Sequence, residues 1–268
     1  MNFVVALKAE AGPLIECFKL AKESAPSPFP VFVNDCHRLV LSGVGKELAG
    51  KATNDLRERF PRPNQAWLNF GLAGHGTLAL GTVFMANRIL EDGSKKTFYP
   101  TQLLDHGLKP STLKSLSSPV SDYPEPIGYD MEACAFCAHA SLGSVRELIQ
   151  VVKVVSDNPD HPVDSFDRSS AGSLIEDALP SILPLVDQLE ELARKITPSH
   201  ELSKLFDSAL ALHPFSETQR HQVRKLLAHA RALGFPEQDA LETITGAKSA
   251  KQAISELRES MEQHRVLP

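Results

Sequence analysis

Short apolar runs alternate with amphipathic stretches over the first three-quarters of the chain. Phe3 to Leu7 is apolar without a break and predicts a buried strand. Leu14, Ile15, Phe18 and Ala21 then recur at helical spacing within Ala11–Glu23, ahead of the breaker cluster Ala25-Pro-Ser-Pro-Phe-Pro30. Arg38–Ser42 predicts a second strand, closed by Gly43-Val44-Gly45. Lys46–Phe60 predicts a helix that turns Leu48, Ala49, Ala52 and Leu56 inward. Ala66–Phe70 reads as a third strand, followed by the glycine-rich segment Gly71–Gly76. Thr82–Leu90 reads as a fourth, and Lys96–Leu104 as its continuation in the sheet. From Asp105 to Gly128 the chain is rich in Pro and Ser, with one short strand at Leu113–Ser117. Met131–Ala140 forms a compact apolar helix. Leu148–Val155 is nearly continuous Val and Ile, the composition of a strand buried on both faces. Ala171–Ile196 is a long amphipathic helix with Pro180 and Pro184 as kink points.

This alternation of strand and helix predicts an α/β domain over residues 1–196. At Thr197-Pro198 the pattern changes. Residues 200–268 hold no strand candidate, and Leu202–Leu212, Glu217–Leu233, Pro236–Thr245 and Ala250–His264 all carry helical periods. Pro214, Gly234 and Gly246 separate them, which predicts an all-α C-terminal appendage over residues 197–268.

Composition narrows the function classes. A net charge of −5 provides no basic field for nucleic acid phosphates, so no nucleic acid partner is expected. No apolar run approaches the ~18–20 residues that span a bilayer, so no membrane partner is expected either. Lys8 and Glu10 interrupt the first apolar run, which does not read as a signal peptide. Four scattered cysteines do not make a disulfide framework in a chain of this size. These features together lead to the expectation of a cytoplasmic protein.

Three segments place a carboxylate at a strand end or a helix start, where α/β folds build their sites. The strand Leu148–Val155 ends in Ser156-Asp157-Asn158. A carboxyl in such a crevice can hold a proton near neutrality and donate it to a departing ring nitrogen; the competing reading is a turn cap. Glu132 opens an apolar helix and could accept from a vicinal diol, or it and Asp130 merely complement the helix dipole. Glu10 sits where the first strand gives way to a helix and could orient a water, or it is a plain helix-start acid.

The order and setting of these segments resemble the purine nucleosidase/nucleoside phosphorylase family, especially the methylthioadenosine/S-adenosylhomocysteine nucleosidases. The resemblance covers residues 3 to about 196. It rests on ALKAEAGPL, SGVGKELAGKAT, NFGLAGHGTLALGTV, DMEACAFCAHAS and VVKVVSDNPD. It implies a three-layer nucleoside phosphorylase-type α/β fold with a mixed central sheet. It also implies cleavage of the N-glycosidic bond of a purine nucleoside or a 5′-modified nucleoside, without metal or organic cofactor, in a homodimer or higher homo-oligomer. Residue by residue, it implies that Asp157 is the general acid at the purine N7, oriented by Ser156, and that Glu10 positions the nucleophilic water. Glu132 binds the ribose hydroxyls with Met131 against the sugar. Gly43, Gly45, Gly71, Ala73 and Gly74 let backbone approach the substrate, and Phe166 lines the pocket.

The departures from the family pattern bear on the acceptor. Phosphorylases of the family carry arginines in the first loop and two residues before the glycine matching Gly71. This chain has Lys8 and Asn69 there, so water is the expected acceptor. Leu72 replaces a usual Ser or Thr, and the base-pocket segment is compressed to Asp92–Tyr129, with Ser117–Asp122 standing in for a base-contacting strand. Two alternatives therefore stay open: a phosphate-dependent phosphorylase, and a relative that binds nucleosides or acts as a scaffold without turnover.

Other signals carry less. Gly43-Val-Gly45 lacks the third glycine of a dinucleotide loop. Cys134 and Cys137 fall on an apolar helix with no second cysteine pair, and read as core. His213, His221 and His229 are spaced eight apart, and the basic stretch Arg220–Arg231 reads as a solvated helix face.

Overall fold

A computed structural model describes residues 1–196 and 200–266 of the chain. These divide into two compact units, Met1–Ala193 and Arg194–Pro268. The expected junction at Thr197-Pro198 lies outside the described residues.

The first unit is built on one mixed sheet. Its strands are β1 (Asn2–Val5), β2 (Ala21–Lys22), β3 (Val31–Val33), β4 (Arg38–Leu41), β5 (Trp67–His75), β6 (Val83–Glu91), β7 (Thr97–Phe98), β8 (Lys109–Ser115), β9 (Gly128–Asp130) and β10 (Ile149–Asp157). The order is β10-β6-β8-β9-β5-β1-β4-β3-β2, and β10 also pairs with β5, so one end of the sheet closes on itself. Strand β5 is the hub. It pairs in parallel with β1 through Trp67, Leu68 and Asn69, and with β10 from Trp67 to Gly74. Its last residues, Gly74 and His75, pair antiparallel with β9.

Both faces of the sheet are covered, as its continuous apolar strands require. Helices α2 (Lys46–Arg59) and α3 (Ala133–Ala140) cover one face. There Ala52, Leu56 and Phe136 join Val4, Val40, Trp67 and Val151 in one buried cluster. The alternate strand residues Phe3, Val5, Leu39, Leu68, Phe70 and Val152 are also buried and point the other way. On that side lie α1 (Lys8–Cys17) and α4 (Ala171–Ile196). The α1 C-cap Phe18 packs on Phe3 at 5.0 Å between ring centroids, and Glu190 of α4 pairs with His37 at 3.0 Å. Cys134 and Cys137 are buried in the core cluster.

Several elements differ from the sequence pattern for local reasons. Helix α1 starts at Lys8, three residues early, because Glu10 accepts the Leu7 N–H and caps it. It ends at Cys17, and the chain reverses through Lys19 at φ 51° into β2, which pairs with β3. Strand β5 continues through the glycine-rich segment instead of ending at Phe70. Strand β7 stops at Phe98, two residues before Pro100, which has no N–H for a ladder. Strand β9 is three residues long, too short to leave a period.

The second unit contains helices α5 (His200–Leu212), α6 (Glu217–Ala232), α7 (Glu237–Gly246) and α8 (Ala250–Val266). They bury Phe206, Phe215, Val223, Leu227, Ile244 and Leu257 in a core of their own. Ser216 caps α6 reciprocally with Gln219, and Gly234 at φ 70° ends it with Phe235 N–H bonded back to Ala230. His213 is half-buried, and its Nε2 donates to the Ile244 carbonyl at 2.9 Å. No helix of the described residues is long and apolar enough to cross a membrane.

Phe136 is fully buried where α3 meets the sheet. Phe136→Ala is expected to destabilise the first unit by about 3–5 kcal/mol, read as a lowered midpoint in urea unfolding. A midpoint equal to the parent's would contradict this packing.

Candidate active site

Glu10, Glu132 and Asp157 open onto one cavity of about 240 Å³ at the carboxyl ends of β1, β5 and β10. Leu7, Val44, Leu72, Met131 and Phe166 supply much of its apolar wall. All of the cavity's residues belong to the first unit.

Each carboxylate is fixed by backbone donors or hydroxyls. Glu10 accepts Leu7 N–H at 2.8 Å through one oxygen and Leu72 N–H at 2.9 Å through the other. It thus ties the start of α1 to the end of β5. Burial raises its pKa above the ordinary 4.5, against the lowering effect of those two hydrogen bonds. Glu132, at the N-cap of α3, accepts Gly45 N–H at 2.7 Å. Its pKa is also raised, first by burial, with Lys153 pulling it down and Asp130 pushing it up. Asp157 ends β10. Its two oxygens accept separate hydroxyls, from Tyr123 at 2.5 Å and from the adjacent Ser156.

Glycine makes the room for two of these groups. A Cβ on Gly71 would stand 3.1 Å from a Glu10 oxygen. A Cβ on Gly74 would collide with an Asp157 oxygen and stand 2.7 Å from the Tyr123 ring. Ser156, Ala73, Gly74, Met131 and Phe166 line the cavity, whereas Gly43, Gly45 and Gly71 do not. Gly43 and Gly45 instead turn the chain with φ of 81° and 106°, aiming the Gly45 N–H at Glu132. Leu72 faces the cavity with a side chain that offers no hydrogen bond, and its N–H serves Glu10. From the compressed segment, Leu116, Ser118, Pro119 and Val120 reach the cavity as irregular chain, not as a strand.

Beneath the site lies an ion pair absent from the sequence reading. Lys153 of β10 is fully buried and its Nζ sits 2.9 Å from Asp130 Oδ2. Asp130 also accepts Ala133 N–H at 2.9 Å and Ser115 Oγ–H at 2.6 Å, so its role exceeds a dipole complement. Burial pulls the Lys153 ammonium down, but Asp130, Glu132 and Glu10 outweigh it and hold its pKa above the ordinary value. A lysine inside an otherwise Val-rich strand was the available signal, because a cation there demands a partner. Tyr123, Tyr129 and Val44 left no such signal. No group of residues fit to hold a metal ion occurs among the described residues.

The cavity lining combines carboxylates that accept hydrogen bonds with apolar side chains, the combination that binds a small polyol carrying a flat or apolar portion. No family model matches the chain, and no curated protein matches it by sequence. Solved structures do. A 5′-methylthioadenosine/S-adenosylhomocysteine nucleosidase from Helicobacter pylori, crystallised with butyl-thio-DADMe-Immucillin-A, shares 16% identity with a TM-score of 0.58, over 70% of this chain and 97% of that one. Futalosine hydrolase of Helicobacter pylori gives the same four values. Apo 5′-methylthioadenosine nucleosidase of Arabidopsis thaliana shares 16% identity with a TM-score of 0.61, over 70% of this chain and 94% of that one. The first unit therefore has the nucleoside phosphorylase-type α/β fold.

Lys153→Met is expected to destabilise the protein by about 3–5 kcal/mol, because it strands the Asp130 charge in the interior. Adding Asp130→Asn is expected to restore part of the lost stability in thermal unfolding. Equal stability of Lys153→Met and the parent would show that the pair imposes no such constraint.

Proposed function

We propose that this protein hydrolyses the N-glycosidic bond of a purine nucleoside or a 5′-modified nucleoside. The observation that carries the reading is the convergence of Glu10, Glu132 and Asp157 on a single cavity. The fold shared with the methylthioadenosine nucleosidases and futalosine hydrolase supports it.

Glu132 accepts hydrogen bonds from the ribose hydroxyls, with Met131 against the sugar. Asp157 gives its proton to a ring nitrogen of the base. The C1′–N bond breaks, its electrons leave with the base, and the sugar passes through an oxocarbenium-like state. Glu10 holds a water against C1′ and takes its proton as the C1′–O bond forms. Leu7, Val44 and Phe166 suit an apolar substituent at the 5′ position.

Water is favoured over phosphate on electrostatic grounds. Among the described residues, four carboxylates line the cavity and no lysine or arginine does. A phosphate dianion would meet like charge and no guanidinium fork. Asn69 is turned away, with its amide on the Val4 carbonyl at 2.9 Å.

The reading is tested by screening nucleosides for free base release with and without phosphate. Release without phosphate is expected, with Asp157→Asn slower by about 10²–10⁴-fold. Strict dependence on phosphate would decide for a phosphorylase, and undiminished activity of Asp157→Asn would remove its role. Glu10 must be ionised to act as base, and its pKa is raised. The acidic limb of kcat/KM is therefore expected above the ordinary carboxylate range, with activity lost as pH falls through it. A rate flat down to the ordinary carboxylate pKa would count against Glu10 as that base.

A further inference from the structure

We propose that Tyr123 is a positioning residue that stabilises the Asp157 carboxylate as it gives up its proton to the departing base. This rests on the nucleosidase reading and adds to it a residue that neither the sequence pattern nor the cavity wall points to.

Tyr123 is buried and is not part of the cavity wall. Its phenol donates to Asp157 Oδ2 at 2.5 Å and accepts the Val163 N–H at 3.2 Å, so the oxygen is pinned from two sides. The ring lies edge-on to Tyr129 at 6.1 Å between centroids. It also fills the space beside Gly74, where a Cβ would meet it at 2.7 Å. The backbone of Tyr123 is left-handed, at φ 41°, a conformation that bulky residues rarely adopt. The surroundings thus hold an unfavourable backbone to aim one hydroxyl.

What that hydroxyl reaches decides its use. Ser156 Oγ donates to the other Asp157 oxygen, so both oxygens carry a fixed O–H donor. Each oxygen keeps a second site, which can bear or release the catalytic proton. While Asp157 is protonated these two hydrogen bonds are weak. Once the proton moves to the base they become charge-assisted and strengthen. Donors already in place where charge develops lower the barrier without reorganising, as in an oxyanion hole. Tyr123 keeps its own proton throughout, because burial and the neighbouring Asp157 hold its pKa well above the ordinary phenol value.

The test is Tyr123→Phe, which keeps the ring and removes the donor. Its kcat is expected to fall about 10- to 100-fold with KM changed little, because the lost bond strengthens only in the transition state. The carboxyl stretching band of Asp157, identified by its absence in Asp157→Asn, is expected to shift in the infrared spectrum of Tyr123→Phe. Should the variant fold poorly, 3-fluorotyrosine at position 123 retains the hydroxyl and alters its donor strength, and the same band is expected to move. An unchanged kcat or an unmoved Asp157 band overturns the proposal. A parent protein that releases base from no nucleoside sinks the nucleosidase reading and this role with it. An active parent whose Tyr123→Phe variant keeps its kcat sinks this role alone.

Discussion

Strand β5 lacks side chains at Gly71 and Gly74, and the site depends on that omission. The strand lies between β1 and β10, so whatever stands on those two positions stands between the carboxylates that the neighbouring elements present. With no Cβ, Gly71 admits Glu10 and Gly74 admits both Asp157 and the Tyr123 ring behind it. Any larger residue would push these groups apart. Glu10 in turn binds the Leu72 N–H between the two glycines, so the strand that makes the space also holds one of its occupants.

Charge sets the second constraint. Four carboxylates lie around the cavity, and Lys153 is the buried cation set against them. It is committed to Asp130, which is also saturated by Ser115 and Ala133. That pairing anchors the start of α3 to β10 and leaves Glu132 free to face the cavity. Burial raises the pKa of both Glu10 and Glu132, and as carboxylates they accept hydrogen bonds and repel anions, so the site suits neutral partners that donate. Sugar hydroxyls and a neutral water meet that condition, whereas a phosphate does not.

Much of this was legible in the sequence, and the reasons are specific. The long strands and helices announced themselves through period, and Ser156-Asp157 and Glu132 through their place at a strand end and a helix start. Glycines after a strand suggested close approach of backbone, but a loop was expected where β5 in fact runs on to His75. The sequence shows that side chains are missing, not that a carboxylate from elsewhere fills the gap. Lys153 carried a readable signal, a cation in a buried strand. Tyr123 carried none: it lies in an irregular Pro-rich segment with no period, and its hydrogen bond to Asp157 spans 34 residues. Strand β9 escaped because pairing with β5 and β8, not local pattern, defines it.

Under the proposed function, three acids far apart in the chain surround one nucleoside. The most direct measurement is a crystal structure of Asp157→Asn soaked with a purine nucleoside. The ribose hydroxyls are expected within hydrogen-bond distance of Glu132, with the base beside the substituted side chain at position 157 and a water between Glu10 and C1′. A nucleoside seated elsewhere, or in this cavity with its hydroxyls turned from Glu132, would contradict it.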